Sequence, residues 1–225
     1  MNNIPIYLQQ HEFEQASLLI ETLPLDEQPY WKAILLYYRD GYDLAVSYCQ
    51  QTLREDSQNI ALWGAFGWIE FEEGALHRAH TIFQQALSLG WFKATFLNSI
   101  SLATQLQDFD YVDSLFTTHA KAITATDFQP SEWDVILLCQ AQLARHQQQT
   151  RDALQFIDAI NFLSPEVFLL RGHIFRDQCL YTQSMLAYQM GLDEYPNHPY
   201  LQEAFQSVLP LIPTIPSGVH ALLKS

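Results

Sequence analysis

The residues able to do chemistry are few, and their spacing does not suit it. His77 and His80 stand three apart with no acidic residue placed to complete a zinc ligand set, so they read as solvated side chains on a helix. Glu72 and Glu73 are adjacent beside Gly74, where a solvated turn accounts for two carboxylates. No Cys-x2-Cys pair, glycine-rich phosphate loop or Gly-x-Ser-x-Gly elbow occurs. Cys49, Cys139 and Cys179 lie far apart in apolar helical contexts and read as small core residues in a reducing compartment. No catalytic site, metal or cofactor is expected, and function is to be sought in the surfaces that the elements present.

Composition narrows the kind of surface. With 48% hydrophobic and 13% aromatic residues over 225 positions, the chain can bury a substantial core. Eleven Lys and Arg against 25 Asp and Glu give a formal charge of −14, which opposes binding to nucleic acid and to anionic lipid head groups. The opening Met1-Asn2-Asn3-Ile4-Pro5 has no basic segment followed by an apolar one, and no apolar run approaches the roughly 20 residues of a spanning helix. A cytoplasmic protein without membrane insertion is expected.

The elements repeat. Trp63, Phe66 and Gly67 are followed by Ala79, Phe83 and Ala86 at helical spacing. Thirty-four residues before Gly67 and Ala79 stand two further small residues, Ala33 and Ala45. Late in the chain Gly172 and Phe175 precede Ser184, Tyr188, Gly191 and Pro196, and Pro165 and Pro199 are again 34 apart. Weaker copies run through Val112 and Phe116, and through Ala141, Ala153 and Ile157. Small residues at one position of each helix let paired helices approach closely, and large ones fill the seam beside them.

This pattern resembles the tetratricopeptide repeat (TPR), in a degenerate form: Glu70 stands where the family has an aromatic, and Trp91 where it has proline. The resemblance implies an all-α, right-handed helical-hairpin solenoid of about five hairpins with N- and C-terminal capping helices. The helix pairs are placed at 28–38 with 42–55, 59–73 with 75–89, 92–106 with 108–124, 131–147 with 150–163, and 165–177 with 181–194. Residues 6–23 are expected to cap the N-terminus, reading as the second helix of a unit whose first helix is stunted. Tyr200–Val208 is the C-terminal cap. A TPR-like domain over 1–208 is then followed by a proline-rich tail, 209–225, whose prolines demand extended backbone from Leu209 to Pro216. Such an apolar tail can pack on its own solenoid or mediate self-association with another subunit.

In the resembling family the first helix of each hairpin lines a concave groove that holds a protein segment. Projection onto that face selects Tyr30, Ile34, Tyr37 and Tyr38, then Gly64, Trp68 and Phe71. Later units offer Leu138, Gln142, Arg145 and His146, then Leu169, His173 and Arg176, which together suggest a locally positive stretch. The bland alternative is that the aromatic residues are core. The expected role is a non-enzymatic scaffold or adaptor whose partner is a protein or peptide segment with apolar anchors and acidic residues. The alternative is a bacterial secretion or assembly chaperone that holds an apolar segment of a cargo. The Lys and Asn clamp by which some family members hold acidic chaperone C-termini is not matched, because Ile34, Trp68, Gln142 and His173 occupy the groove.

Overall fold

The computed structural model describes residues 3–212, and among them the secondary structure is helical throughout. Thirteen α-helices follow in order: α1 Ile4–Gln9, α2 Phe13–Glu21, α3 Gln28–Asp40, α4 Tyr42–Glu55, α5 Ile60–Glu72, α6 Leu76–Leu89, α7 Lys93–Gln105, α8 Phe109–Thr118, α9 Pro130–His146, α10 Thr150–Asp158, α11 Pro165–Asp177, α12 Tyr181–Glu194 and α13 Pro199–Val208. Consecutive helices pair as hairpins, α1 with α2 through α11 with α12, and α13 packs on α11 and α12 as a cap. The stunted first helix expected before residue 13 is α1, a six-residue turn that buries Ile4 and Leu8.

One local motif recurs in the hairpin turns. His11, Gly74, Gln107, Gln148 and Cys179 each take a left-handed φ between 58° and 76°. At each, the following amide reaches back across the helix end, as Ala75 N–H does to Glu70 O and Asp108 N–H to Ala103 O, so that carbonyls without helical partners are satisfied. The α3–α4 turn is tighter and uses Gly41 alone at φ 91°. Five residues beyond each left-handed position, or four beyond Gly41, a residue is wholly buried: Ala16, Ala45, Ala79, Val112, Ala153 and Ser184. Four further on stand Ile20, Cys49, Phe83, Phe116, Ile157 and Tyr188, all fully buried except Phe116.

The turn fixes the register, and the register fixes the seam. A Cβ on Gly67 would stand 2.5 Å from the Phe83 ring, and one on Gly172 would collide with Tyr188. Each of those rings therefore occupies the space that a side chain on the partner helix would take, a contact worth about 1.5–3 kcal/mol of burial per side chain.

Three expectations need correction. Helix α8 ends at Thr118 rather than near 124. Helix α10 ends at Asp158 rather than near 163 because the Asp134 carboxylate accepts hydrogen bonds from the Asn161 and Phe162 amides, both at 3.0 Å, and holds that stretch as a loop. Leu209–Leu211 forms a 3-10 turn instead of extended chain: Pro210 sits in the first turn, where a missing N–H costs nothing. Extended geometry begins at Ile212, the residue before Pro213. The rest of the expected tail, 213–225, lies outside the described residues.

By contact density the chain forms two compact units, 1–124 and 125–225, each with its own core. The core of the first gathers Leu62, Ile69 and Ala33 around Ile4, Leu8 and Cys49. In the second, Ala141, Ile157 and Ile174 form one cluster, and Phe168, Tyr188 and Leu201 another.

Candidate functional site

In the first unit, the first helices of two successive hairpins, α3 and α5, bring their aromatic residues together beside α1. A cavity of about 170 Å³ is walled by Tyr30, Trp31, Ile34 and Tyr38 of α3 and by Trp68 of α5. Pro5, Leu8 and Gln9 of α1 complete it. Four of the residues projected onto the groove face thus share one depression. Tyr38 and Trp68 stack with centroids 6.0 Å apart and planes at 26°, while Tyr30 meets Trp31 edge to face at 5.1 Å. Tyr38 is the most open of them, and Tyr30 and Ile34 are walls rather than free surface, only 8% and 4% exposed.

Tyr37 continues the aromatic face beside this cavity. It meets Trp68 edge to face at 5.5 Å, and its hydroxyl donates to Glu73 Oε1 at 3.0 Å. Desolvation, helped by that carboxylate, pushes the Tyr37 phenol up to about 12; burial alone does the same to Tyr30. Both stay neutral donors at any physiological pH. Phe71 lies apart from the cavity, half-buried against the Ala79–Phe83–Leu102 cluster, where it serves the core. Gly64 does not face open space: Thr95 and Phe92 would meet a side chain there.

The sequence missed Pro5, Leu8, Gln9 and Trp31. Leu8 was legible as the partner of Ile4 at helical spacing, but the cap was placed from the α2 pattern. Trp31 precedes Lys32 and follows Tyr30, and nothing in a three-to-four residue period distinguishes it.

The second unit answers part of the expected positive stretch within the chain. Arg145 Nε donates to Asp177 Oδ2 at 2.6 Å and Nη2 to Oδ1 at 3.3 Å, so its charge is answered within the chain. His173, packed edge to face on Tyr188 at 5.7 Å, is pushed down to about 4 by burial and then by Arg145 and Arg176, and is neutral near pH 7. Arg176 makes no ion pair among the described residues. His146 is exposed and lines, with Arg145, Gln148 and Asp177, a polar cavity of about 380 Å³. Arg145 is paired because the last residue of α11, Asp177, comes within reach of the last turn of α9, so the expected positive stretch is partly neutralised. Gln142 and Leu169 are half-buried. Leu138 lines a separate apolar cavity of about 220 Å³ with Val135 and Phe162.

Glu70, which departs from the family pattern, is buried in α5. Its Oε1 accepts from the Tyr42 hydroxyl at 3.1 Å and pairs with Arg78 at 3.2 Å, while Oε2 has no partner. Among the described residues there is no cluster of His, Cys, Asp or Glu suited to a metal, and no helix is long and apolar enough to cross a membrane.

No family model matches the chain, and no curated protein matches it either. Solved structures do. PilF of Pseudomonas aeruginosa is 19% identical, with 91% of this chain and 93% of that one covered, at a TM-score of 0.63. YrrB, described as a TPR protein with an unusual peptide-binding site, is 14% identical over 86% of this chain and 97% of its own, also at 0.63. The Cut9-Hcn1 hetero-tetramer of the APC/C is 15% identical at 0.62; this chain is covered over 91% of its length and spans 41% of that chain. At such identities the likeness is one of fold: an all-α helical-hairpin solenoid of the tetratricopeptide type.

Proposed function

We propose that this protein is a non-catalytic scaffold that holds a segment of another protein against the aromatic face of its first unit. The observation that carries the reading is the convergence of Tyr30, Ile34, Tyr38 and Trp68, from two first helices, on one open cavity closed by α1. Tyr and Trp suit the task because each presents a rigid apolar area with a polar tip, at little entropic cost. The neighbours support the same direction, since YrrB is a peptide-binding protein and Cut9 stands in a complex with Hcn1. Apolar anchors of the partner meet Tyr37, Tyr38 and Trp68. The acidic part of the expected partner is not carried forward, because Asp177 already occupies Arg145.

Capture from native lysate followed by mass spectrometry tests the reading when it is run with variants. Tyr38→Ala and Trp68→Ala are expected to lose a protein that the wild type and Met190→Ala retain; Met190 is exposed on α12. Equal capture by all four chains would remove the proposal. The scaffold and chaperone readings part on one observable, a cargo that aggregates when this chain is absent.

A further inference from the structure

The cavity under α1 has a chemistry of its own. Four rings wall it, those of Tyr30, Trp31, Tyr38 and Trp68, and no Lys, Arg or His lies among its lining residues. Its size, about 170 Å³, exceeds the roughly 150 Å³ that admits one benzene ring, so it takes a single side-chain head rather than a helix. The Tyr30 hydroxyl makes no hydrogen bond among the described residues although Tyr30 is only 8% exposed. An aliphatic head seated there would leave that hydroxyl desolvated and unpaired, which costs free energy. An ammonium or guanidinium N–H gives it a partner. Tyr38 and Gln9, which line the same cavity, each carry a further acceptor oxygen.

Charge points the same way. Aromatic faces are the negative part of each ring quadrupole and attract a cation held over them. Residues 1–124 carry 15 Asp and Glu against six Lys and Arg, so the surrounding field favours a positive guest. Two of those six are already answered, Arg39 by Asp40 and Arg78 by Glu70.

We propose that this four-ring cavity receives a lysine or arginine side chain of the partner, its alkyl stem along Leu8 and Ile34 and its charged head against the rings. The inference rests on the partner-holding reading and specifies one anchor within it. It makes the guest cationic where an apolar anchor alone was expected.

The probes are Nα-acetyl-lysine amide and Nα-acetyl-arginine amide, with Nα-acetyl-norleucine amide as the neutral counterpart, titrated into the full chain labelled at tryptophan indole nitrogens. Both cations are expected to move the Trp31 and Trp68 signals saturably and leave Trp133 in place, with norleucine binding about tenfold weaker. Added salt weakens the cations and not norleucine. Tyr38→Ala, at an open position, and Trp68→Leu should each lose the response while the remaining indole signals report an intact fold. Norleucine binding as tightly as lysine, no response to any probe, or an undiminished response in Tyr38→Ala would each overturn the assignment. Those failures are distinct from failure of the wider reading, which is judged by whether capture of a partner protein depends on Tyr38 and Trp68.

Discussion

Glu70 shows how one residue departs from a repeat and is compensated locally. A carboxylate placed where an aromatic belongs must be answered by polar groups, and Tyr42 from α4 and Arg78 from α6 converge on it. Arg78 also lies over the Phe66 ring, 5.7 Å from its centroid. Removing Arg78 leaves a buried acid with one neutral donor. Arg78→Ala is expected to destabilise the protein by about 1–3 kcal/mol in urea unfolding. Glu70→Leu in the same chain should recover most of that loss, since an apolar side chain there needs no partner. A second residue sets a pH dependence. The imidazole of His173 is depressed to about 4 in the folded chain, against about 6.5 when unfolded, so below pH 6.5 the unfolded chain binds a proton that the folded chain refuses. Stability from this group is complete above pH 6.5 and is lost as pH falls toward 4. The urea midpoint of the wild type should therefore drop more between pH 7 and pH 4.5 than that of His173→Gln; equal drops would contradict the burial of that ring.

At the scale of elements, the helices were legible and their ends less so. The α11–α12 hairpin was placed at its observed bounds because Pro165 starts it and the Ser184–Tyr188–Gly191 frame fixes its second helix. The α10–α11 loop was misplaced because what ends α10 is Asp134, 24 residues before Asp158 in the chain, and no local signal announces it. Glycine marked the turns at Gly41 and Gly74, and the helix pairs placed the later breaks at 107, 148–149 and 178–180 without saying which residue there turns left-handed. His11, Gln107, Gln148 and Cys179 adopt the left-handed conformation without that mark. For an L residue this costs about 1–2 kcal/mol, so Gln107→Gly, at an exposed position, should stabilise the chain by about 0.5–1 kcal/mol after glycine's own entropy is counted. Gly74→Ala should destabilise by about 1 kcal/mol, and Gly67→Ala by about 1–3 kcal/mol because Phe83 must leave its seat. Thermal melts of the three variants measure all of these, and a stabilised Gly67→Ala would refute the seam.

At the scale of the molecule, stacked helical hairpins present continuous surfaces, and the proposed role rests on one of them. That Tyr30, Ile34 and Tyr38 share a face was legible because residues four apart on one helix do, and the repeat placed Trp68 on the same side of the next first helix; all four line one cavity. The pairing of Arg145 and the neutrality of His173 were not legible, because a list of arginines and histidines on one face omits the carboxylate that the fold brings to Arg145 and the burial that discharges His173. Phe71 went to the core for a similar reason: helical spacing tells which side a residue faces, but not whether a neighbouring hairpin already covers that side.

The central claim is that the Tyr37–Tyr38–Trp68 face binds a protein. Calorimetry of a captured partner against the wild type and Trp68→Ala tests it most directly. A loss of about 2 kcal/mol or more, roughly thirtyfold in affinity, is expected for Trp68→Ala, with the helical circular dichroism unchanged. The same affinity for both chains would contradict it.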